Sequence, residues 1–237
     1  MLLSTVKYEK KFATEPVLCT SAVTSAATPS PAAASRSPRA ATVTPVRAAS
    51  HVTAEDGRVI ETLELVPALT RPDLLAAPVL TALRGWAGKR PVERIAVAAI
   101  DPDVADTAAF TERYGVPLEE SANCVVIAGK REGAQRQLAC VVLATTRADV
   151  NGVARRRLDV RKASFMPMDE AVAGTGMEYG GITPIGLPPG WPVLVDAAVA
   201  AADAVVIGSG VRRSKLRLPG EVLAGLPGIE VVDGLGR

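Results

Sequence analysis

The chain has 237 residues, 48% of them hydrophobic but only 3% aromatic, which predicts one sizeable domain whose core is built from Val, Ala, Leu and Ile. No apolar run approaches the ~20 residues that span a bilayer, so we expect a cytoplasmic protein without a membrane partner. Residues 55–237 carry 21 basic and 23 acidic groups, which argues against a broad cationic platform for DNA or long RNA. Residues 130–217, with 13 basic and 8 acidic groups, still allow a few phosphate contacts.

The sequence offers few residues for metal or cofactor chemistry. His51 is the only histidine, and Cys19, Cys124 and Cys140 have no metal-ligand spacing. Cys124 and Cys140 lie in apolar runs, where buried, inert thiols are expected. We therefore expect neither metal nor cofactor, and catalysis by carboxylates, hydroxyls, backbone groups or the substrate itself.

Residues 1–54 are predicted to be a disordered extension. The segment from Pro16 to Ala54 has no acidic residue and is rich in Ala, Ser, Thr, Pro and Val, with no sustained period. A start site assigned too far upstream is the interpretation we favour over a transit peptide. The predicted domain then occupies residues 55–237.

The first half of that domain alternates helix and strand patterns. Apolar spacing predicts a helix over Pro72–Trp86, a strand over Val92–Ile100 and a second helix over Asp103–Tyr114. The apolar runs Cys124–Ala128 and Leu138–Ala144 are separated by polar residues, as in a hairpin.

The second half contains shorter elements. Asp149 is a candidate cap for a helix that extends to Leu158, followed by a short strand at Lys162–Met166 and a short helix at Asp169–Gly174. The remaining predicted elements are strands Pro192–Val195, Ala204–Ile207, Lys215–Leu218 and Ile229–Val232, and a helix over Pro219–Leu226. Strands mixed with short helices predict an α+β fold with a mixed sheet.

A loop rich in glycine and proline, Gly180 to Pro188, precedes the strand at Pro192. Glycine permits positive φ and lets a ligand approach the main chain, while proline stiffens the loop. Such a loop can present backbone N–H groups to a carbonyl oxygen, a hydroxyl or a phosphate, or it can be a structural turn.

The run Gly-Gly-Ile-Thr-Pro-Ile-Gly and the following Pro-Val-Leu-Val-Asp strand resemble the YbaK-like aminoacyl-tRNA deacylases, relatives of the editing domain of prolyl-tRNA synthetase. The similarity extends from about Val92 to Leu223. It implies a curved mixed β-sheet, partly barrel-like and flanked by short helices. It also implies a free-standing trans-editing enzyme that acts on the acceptor end of aminoacyl-tRNA, with an aminoacyl-tRNA synthetase as a further candidate partner.

The resemblance assigns the site residue by residue. In the family the glycine loop lines the pocket for the aminoacyl group and the terminal adenosine. The matching positions here are Gly180, Gly181, Thr183, Pro184 and Gly186. All of them except Pro184 are expected to be catalytic, and Pro184 is expected to bind substrate. For Thr183, a hydrogen bond to the substrate and a turn-stabilising bond are both open.

Asn123 occupies the position where most relatives carry a lysine, so the sequence lacks that positive charge. Lys130 lies seven residues later, and the register does not allow it to take that place; a solvated lysine in the hairpin turn is expected. Asn123 is nevertheless predicted to bind substrate, because its amide both donates and accepts hydrogen bonds.

Further candidates follow the next two strands. Asp196 either orients the ammonium of the aminoacyl group or caps the segment after it. Gly208, Ser209 and Gly210 resemble the small-residue turn that lines the family pocket. Arg213 and Lys215 are candidate RNA contacts, with a solvated face as the alternative.

Two functions of different class remain open from the sequence, together with a weaker third, an accessory interaction domain that uses its apolar surface. The first is hydrolysis of a mischarged small amino acid from tRNA, where apolar pockets discriminate poorly and editing is needed. The second is a non-catalytic module that binds charged tRNA or a small aminoacyl or adenosine-like ligand, which Asn123 in place of lysine favours.

Overall fold

A computed structural model describes the backbone of residues 54–55 and 58–59 and all atoms of residues 61–237. The predicted extension over residues 1–54 lies outside the described residues apart from Ala54. In the described part, no helix has the length and apolar character needed to cross a membrane.

The described residues form eleven strands and six α-helices. The strands are β1 Ala54–Glu55, β2 Arg58–Val59, β3 Val66–Pro67, β4 Ala96–Ala99, β5 Ala122–Arg131, β6 Ala134–Leu143, β7 Ala163–Phe165, β8 Val193–Asp196, β9 Val205–Gly208, β10 Ser214–Leu218 and β11 Ile229–Val232. The helices are α1 Ala77–Arg84, α2 Thr107–Tyr114, α3 Arg155–Leu158, α4 Met168–Thr175, α5 Ala197–Ala201 and α6 Gly220–Ala224.

The strands form two main sheets, beside the small β1–β2 pair. One is antiparallel with the order β3-β4-β10-β9, and the other is mixed with the order β11-β8-β6-β5-β7. A bridge between Ser121 and Val206 links them. The α+β class is confirmed, but the single sheet of the prediction is divided into two. Among the described strands no closed barrel forms, and partly barrel-like curvature stays a prediction.

The largest core lies between the two sheets, and a second one lies on the other face of the mixed sheet. Strand β6 contributes to both because successive side chains point to opposite faces. Its Ala139 and Val141 belong to the first core, whereas Leu138, Cys140 and Val142 belong to the second. Burial on both faces explains why this strand reads as a continuous apolar run.

The hairpin of β5 and β6 is longer than its apolar runs indicated. The two strands pair without interruption from Ala122 opposite Leu143 to Arg131 opposite Ala134. Glu132 and Gly133 form the turn, with φ angles of 52° and 80°. Two residues at positive φ are typical of the tight hairpin turn that matches strand twist.

The first predicted helix is shorter than expected. Residues Pro72–Leu74 form a separate 3₁₀ turn, and α1 begins only at Ala77. The N–H of Ala76 donates to the carbonyl of Ser209 (3.1 Å) instead of to the preceding turn. Pro78 has no N–H to offer, so the helix starts beside it.

The ends of the other elements follow local chemistry. Asp106 caps α2, which ends at Gly115 in the left-handed conformation. Asp149 caps a π-helical turn, Val150–Ala154, that continues into α3. The predicted cap at Asp149 is confirmed, and α2 ends at Tyr114 as predicted but begins at Thr107 instead of Asp103.

Candidate functional site

A cavity of about 390 Å³ opens at the edge of β5, where the two sheets meet. We call it the β5 cavity. Its walls come from β5, the start of α2, the ends of β9 and β10, and the beginning of the glycine loop. Its polar and charged lining side chains are Asp106, Thr107, Asn123, Tyr179, Arg212 and Lys215.

Lys215 lies in this cavity rather than on an exposed face. Its Nζ donates to the carbonyl oxygen of Ala105 (2.8 Å) and lies 5.5 Å from the ring centroid of Phe110. Burial lowers the pKa of Lys215 from 10.5 to about 8; nearby Arg212 also lowers it, while Asp106 opposes the shift. A largely desolvated ammonium is therefore available to a ligand in the cavity.

Asp106 is the only carboxylate among the lining residues. Its Oδ1 accepts the N–H of Ala109 (3.1 Å) as the cap of α2, which leaves the second oxygen for other partners. Thr107 beside it donates its hydroxyl to Oδ1 of Asn123 (2.9 Å). This bond orients the Asn123 side chain so that its NH₂ group can donate to a ligand.

The main chain of β5 also presents polar groups to the cavity. The carbonyl of Val126 accepts the N–H of Met166 (2.9 Å), which follows β7. The backbone N–H and C=O groups of Val126, and of every second residue along β5 from it, therefore point toward β7. Because the β5–β6 ladder is unbroken, the peptide groups of Cys124 point the same way. Strand β7 pairs with β5 only at Ile127–Gly129, so no described strand covers Cys124 there. Among the described residues, the N–H and C=O of Cys124 therefore have no strand partner on that side, in the stretch of β5 that lines the cavity.

A family model for the aminoacyl-tRNA editing domain matches residues 101–226, more than half of the chain. The chain belongs to this family. The matched range contains every residue named above that lines the β5 cavity, and it confirms the resemblance to the YbaK-like proteins.

Solved structures show the same fold for this editing domain. One is a protein proposed to be a trans-editing enzyme for prolyl-tRNA synthetase (TM-score 0.55, 22% identity), matched over 67% of this chain and 94% of its own. Another is a scaffold from a study of computational epitope grafting (TM-score 0.55, 22% identity), matched over 68% and 96%. A hypothetical protein matches with TM-score 0.50 and 22% identity, over 60% of this chain and 90% of its own.

The residues of the glycine loop lie in different environments within the editing domain. Gly180, with φ of 82°, lines the β5 cavity together with Ile182. Gly181 is buried, and a Cβ there would lie 2.7–2.8 Å from the backbone of Val211. Gly181 therefore allows close packing of two main-chain segments. Close approach of a ligand to Gly181 stays a prediction.

Thr183, Pro184 and Gly186 lie away from the β5 cavity. Thr183 is fully buried, and its hydroxyl has no partner among the described residues. Pro184 and Gly186 line a second cavity of about 340 Å³, which also contains both tryptophans, Trp86 and Trp191. The loop thus separates two cavities.

Asp196 and the small-residue turn have mainly structural contacts. Asp196 accepts the N–H of Ala198 (2.9 Å) as the cap of α5 and that of Gly236 (2.8 Å), and it does not line the β5 cavity. Gly208 lines the cavity. Ser209 is buried, with its hydroxyl 2.7 Å from that of Ser214, and Gly210 packs against α1 and Ala76.

The two predicted RNA contacts are separated. Lys215 lies in the cavity, whereas Arg213 is exposed outside it, where it donates to the carbonyl of Asp73 (2.8 Å). Lys130 is at the far end of β5, as the register required.

Sequence reasoning did not identify Asp106, Thr107, Tyr179 or Arg212. Asp106 lies inside the helix predicted over Asp103–Tyr114, so only the fold reveals that its carboxylate caps α2 and lines the cavity together with Asn123 and Lys215. Cys140 is buried as predicted, whereas Cys124 is half-buried and lines the β5 cavity; burial raises the pKa of Cys140 to about 12 and also raises the pKa of Cys124. Both thiols therefore stay protonated near neutral pH. Among the described residues, no group of three His, Cys, Asp or Glu side chains is placed to hold a metal ion.

Proposed function

We propose that this protein is a free-standing, cytoplasmic deacylase that hydrolyses the ester of a mischarged small amino acid on tRNA. The β5 cavity is the site that binds the aminoacyl group and the terminal adenosine. One observation carries the proposal: in a member of the editing-domain family, a single cavity contains a carboxylate, a desolvated lysine, an oriented amide and an unpaired strand peptide.

The carboxylate of Asp106 is suited to the α-ammonium of the aminoacyl group. It has one oxygen engaged in capping and one available, and a charge-assisted hydrogen bond to an ammonium is stronger than a neutral one. In this proposal Asp106 takes the role that sequence reasoning offered to Asp196. The two backbone bonds of Asp196 leave it as a structural cap.

The donors of the cavity act on the ester itself. The N–H of Cys124, the NH₂ of Asn123 and the ammonium of Lys215 can stabilise negative charge that develops on the carbonyl oxygen when water attacks. The bond between the carbonyl carbon and the ribose oxygen then breaks. The amino acid leaves as its acid, and the ribose hydroxyl is restored with a proton from the attacking water.

In this proposal Lys215 supplies the positive charge that a lysine at position 123 provides in most relatives. The positive charge comes from β10 of the antiparallel sheet instead of from β5, and it enters the same cavity. Asn123 in place of lysine therefore no longer favours a non-catalytic binder, because the site retains a cation.

The test is a deacylation assay over a panel of charged tRNAs. The wild-type protein is expected to release one or a few small amino acids, and Asp106→Asn and Lys215→Met are expected to lower kcat/KM by at least about tenfold, as for loss of a charged hydrogen bond. Arg213→Gln, which removes a charge outside the cavity, is the matched control and should retain activity. Binding of charged tRNA without turnover by the wild-type protein would instead establish the binding module.

A further inference from the structure

A second charged surface lies beyond the end of the β5 cavity, at the tip of the β5–β6 hairpin. We call it the basic rim. It consists of Lys130, Arg131, Arg136, Arg155, Arg161 and Lys162. Four of these, with Glu132 and Asp159, line a cavity of about 460 Å³. Six positive and two negative side chains give this region a net charge of +4, although residues 55–237 as a whole have a net charge of −2.

The charges of the basic rim are only partly neutralised. Asp159 binds both Arg131 and Arg136 (3.1 Å to the latter), which fastens the hairpin to the end of α3. Among the described residues, Lys130, Arg161 and Lys162 are exposed and form no ion pair. Three exposed, unpaired cations on adjoining segments form a site for several phosphates of one polyanion.

The basic rim is connected to the β5 cavity by strand β7. Phe165 at one end of β7 lines the cavity, and Lys162 immediately precedes the other end. The carbonyl oxygen of Lys162 packs closely against Gly129: a Cβ atom added to Gly129 would lie 2.6 Å from this oxygen. Three residues of strand span about 10 Å, the length of about three stacked nucleotides.

Exposed aromatic side chains mark the cavity end of this path. Phe165 and Tyr179 are 59% and 58% exposed, and both line the β5 cavity. Exposed aromatic rings beside a basic surface are the usual platforms on which unpaired bases stack.

We propose that the basic rim binds the phosphates of a double-stranded RNA stem, and that the single-stranded 3′ end of this RNA runs along β7, past Phe165, into the β5 cavity. This inference rests on the proposed function for its substrate, and it places the RNA at the hairpin tip instead of at Arg213. An RNA without a single-stranded end cannot reach both places at once.

The experiment uses the full chain and an uncharged RNA minihelix that ends in single-stranded CCA, with binding followed by fluorescence anisotropy at several salt concentrations. The triple variant Lys130→Gln, Arg161→Gln, Lys162→Gln is compared with a control triple of exposed cations elsewhere, Arg71→Gln, Arg84→Gln, Lys89→Gln. We expect the rim variant to bind at least about tenfold more weakly and to lose about 2 from the slope of log affinity on log salt, at ~0.7–0.9 per phosphate contact. The control should retain wild-type affinity and slope.

Two further measurements keep the outcomes distinct. Phe165→Ala should weaken binding of the CCA minihelix but not of a blunt duplex of the same stem. Wild-type affinity in the rim variant, or an equal loss in the control triple, would overturn the inference. Failure of the proposed function would be seen elsewhere, as no hydrolysis of any charged tRNA while rim-dependent binding of the minihelix persists.

Discussion

Replacing Lys215 by methionine is expected to stabilise the protein while it weakens the site. The Lys215 side chain is half-buried in the β5 cavity, and desolvation lowers its pKa from 10.5 to about 8. A difference of 2.5 pKa units corresponds to about 3.4 kcal/mol in favour of the unfolded state at a pH well below 8. The hydrogen bond to Ala105 and the contact with Phe110 return about 1–2 kcal/mol, so the variant should be about 1.4–2.4 kcal/mol more stable at pH 7.

The sign of the pH dependence follows from the same shift. Between pH 8 and 10.5 the unfolded chain holds more protons on this lysine than the folded protein does, so the stability of the wild type rises with pH there. Relative to Lys215→Met, the wild type should gain about 2.5 kcal/mol between pH 7 and pH 10. Taking the difference between the two proteins cancels the titration of the other lysines and tyrosines.

Urea unfolding of both proteins at pH 7, 8, 9 and 10 measures this difference. Lys215→Arg provides a control, because its guanidinium stays charged throughout and should show no such rise. A constant difference between wild type and Lys215→Met would refute the account, since it would mean that the ammonium is solvated in the folded protein.

Three other predictions concern separate parts of the site. Gly181→Ala should lower the free energy of unfolding by about 1–3 kcal/mol, seen as a lower Tm, because its Cβ meets the Val211 backbone, whereas Lys130→Ala should leave Tm unchanged. Asn123→Lys should reduce deacylation because it adds a third cation to a cavity that already holds Arg212 and Lys215, and the exchange Asn123→Lys with Lys215→Asn should recover the activity; a single variant faster than wild type would contradict this. Cys124 and Cys140 should resist alkylation at pH 7.5, as followed by peptide mass spectrometry, because burial keeps both thiols protonated; rapid modification of either would show an open thiol.

The elements of this domain were predictable where local chemistry determines them. The cap at Asp149, the end of the second helix at Tyr114 and the strand Ile229–Val232 appear where the sequence placed them. The length of the hairpin was not predictable from apolar runs, because its polar half is held by strand pairing and by Asp159 rather than by burial.

The site was less predictable than the fold. The glycine loop identifies the family, yet of its residues only Gly180 and Ile182 line the β5 cavity, whereas Gly181 packs against the backbone of Val211 and Thr183 is fully buried. The position of Lys215 in the cavity could not be predicted from its strand. Alternation along β10 shows only that the side chains of Lys215 and of the buried Leu216 lie on opposite faces of the strand. The cavity arises because β7 pairs with only three residues of β5 and leaves the start of β5 uncovered. The sequence does not show how far two strands so distant along the chain will pair.

The central claim is that the aminoacyl-adenosine end of tRNA binds in the β5 cavity. An adenosine that carries a small amino acid through a non-hydrolysable 3′-amide is the direct probe, with binding mapped by backbone NMR of the full chain. The account predicts chemical-shift changes at Asp106, Asn123, Cys124 and Lys215, and their loss in Asp106→Asn. Shift changes centred on Trp86 and Trp191, on the other side of the glycine loop, would contradict it.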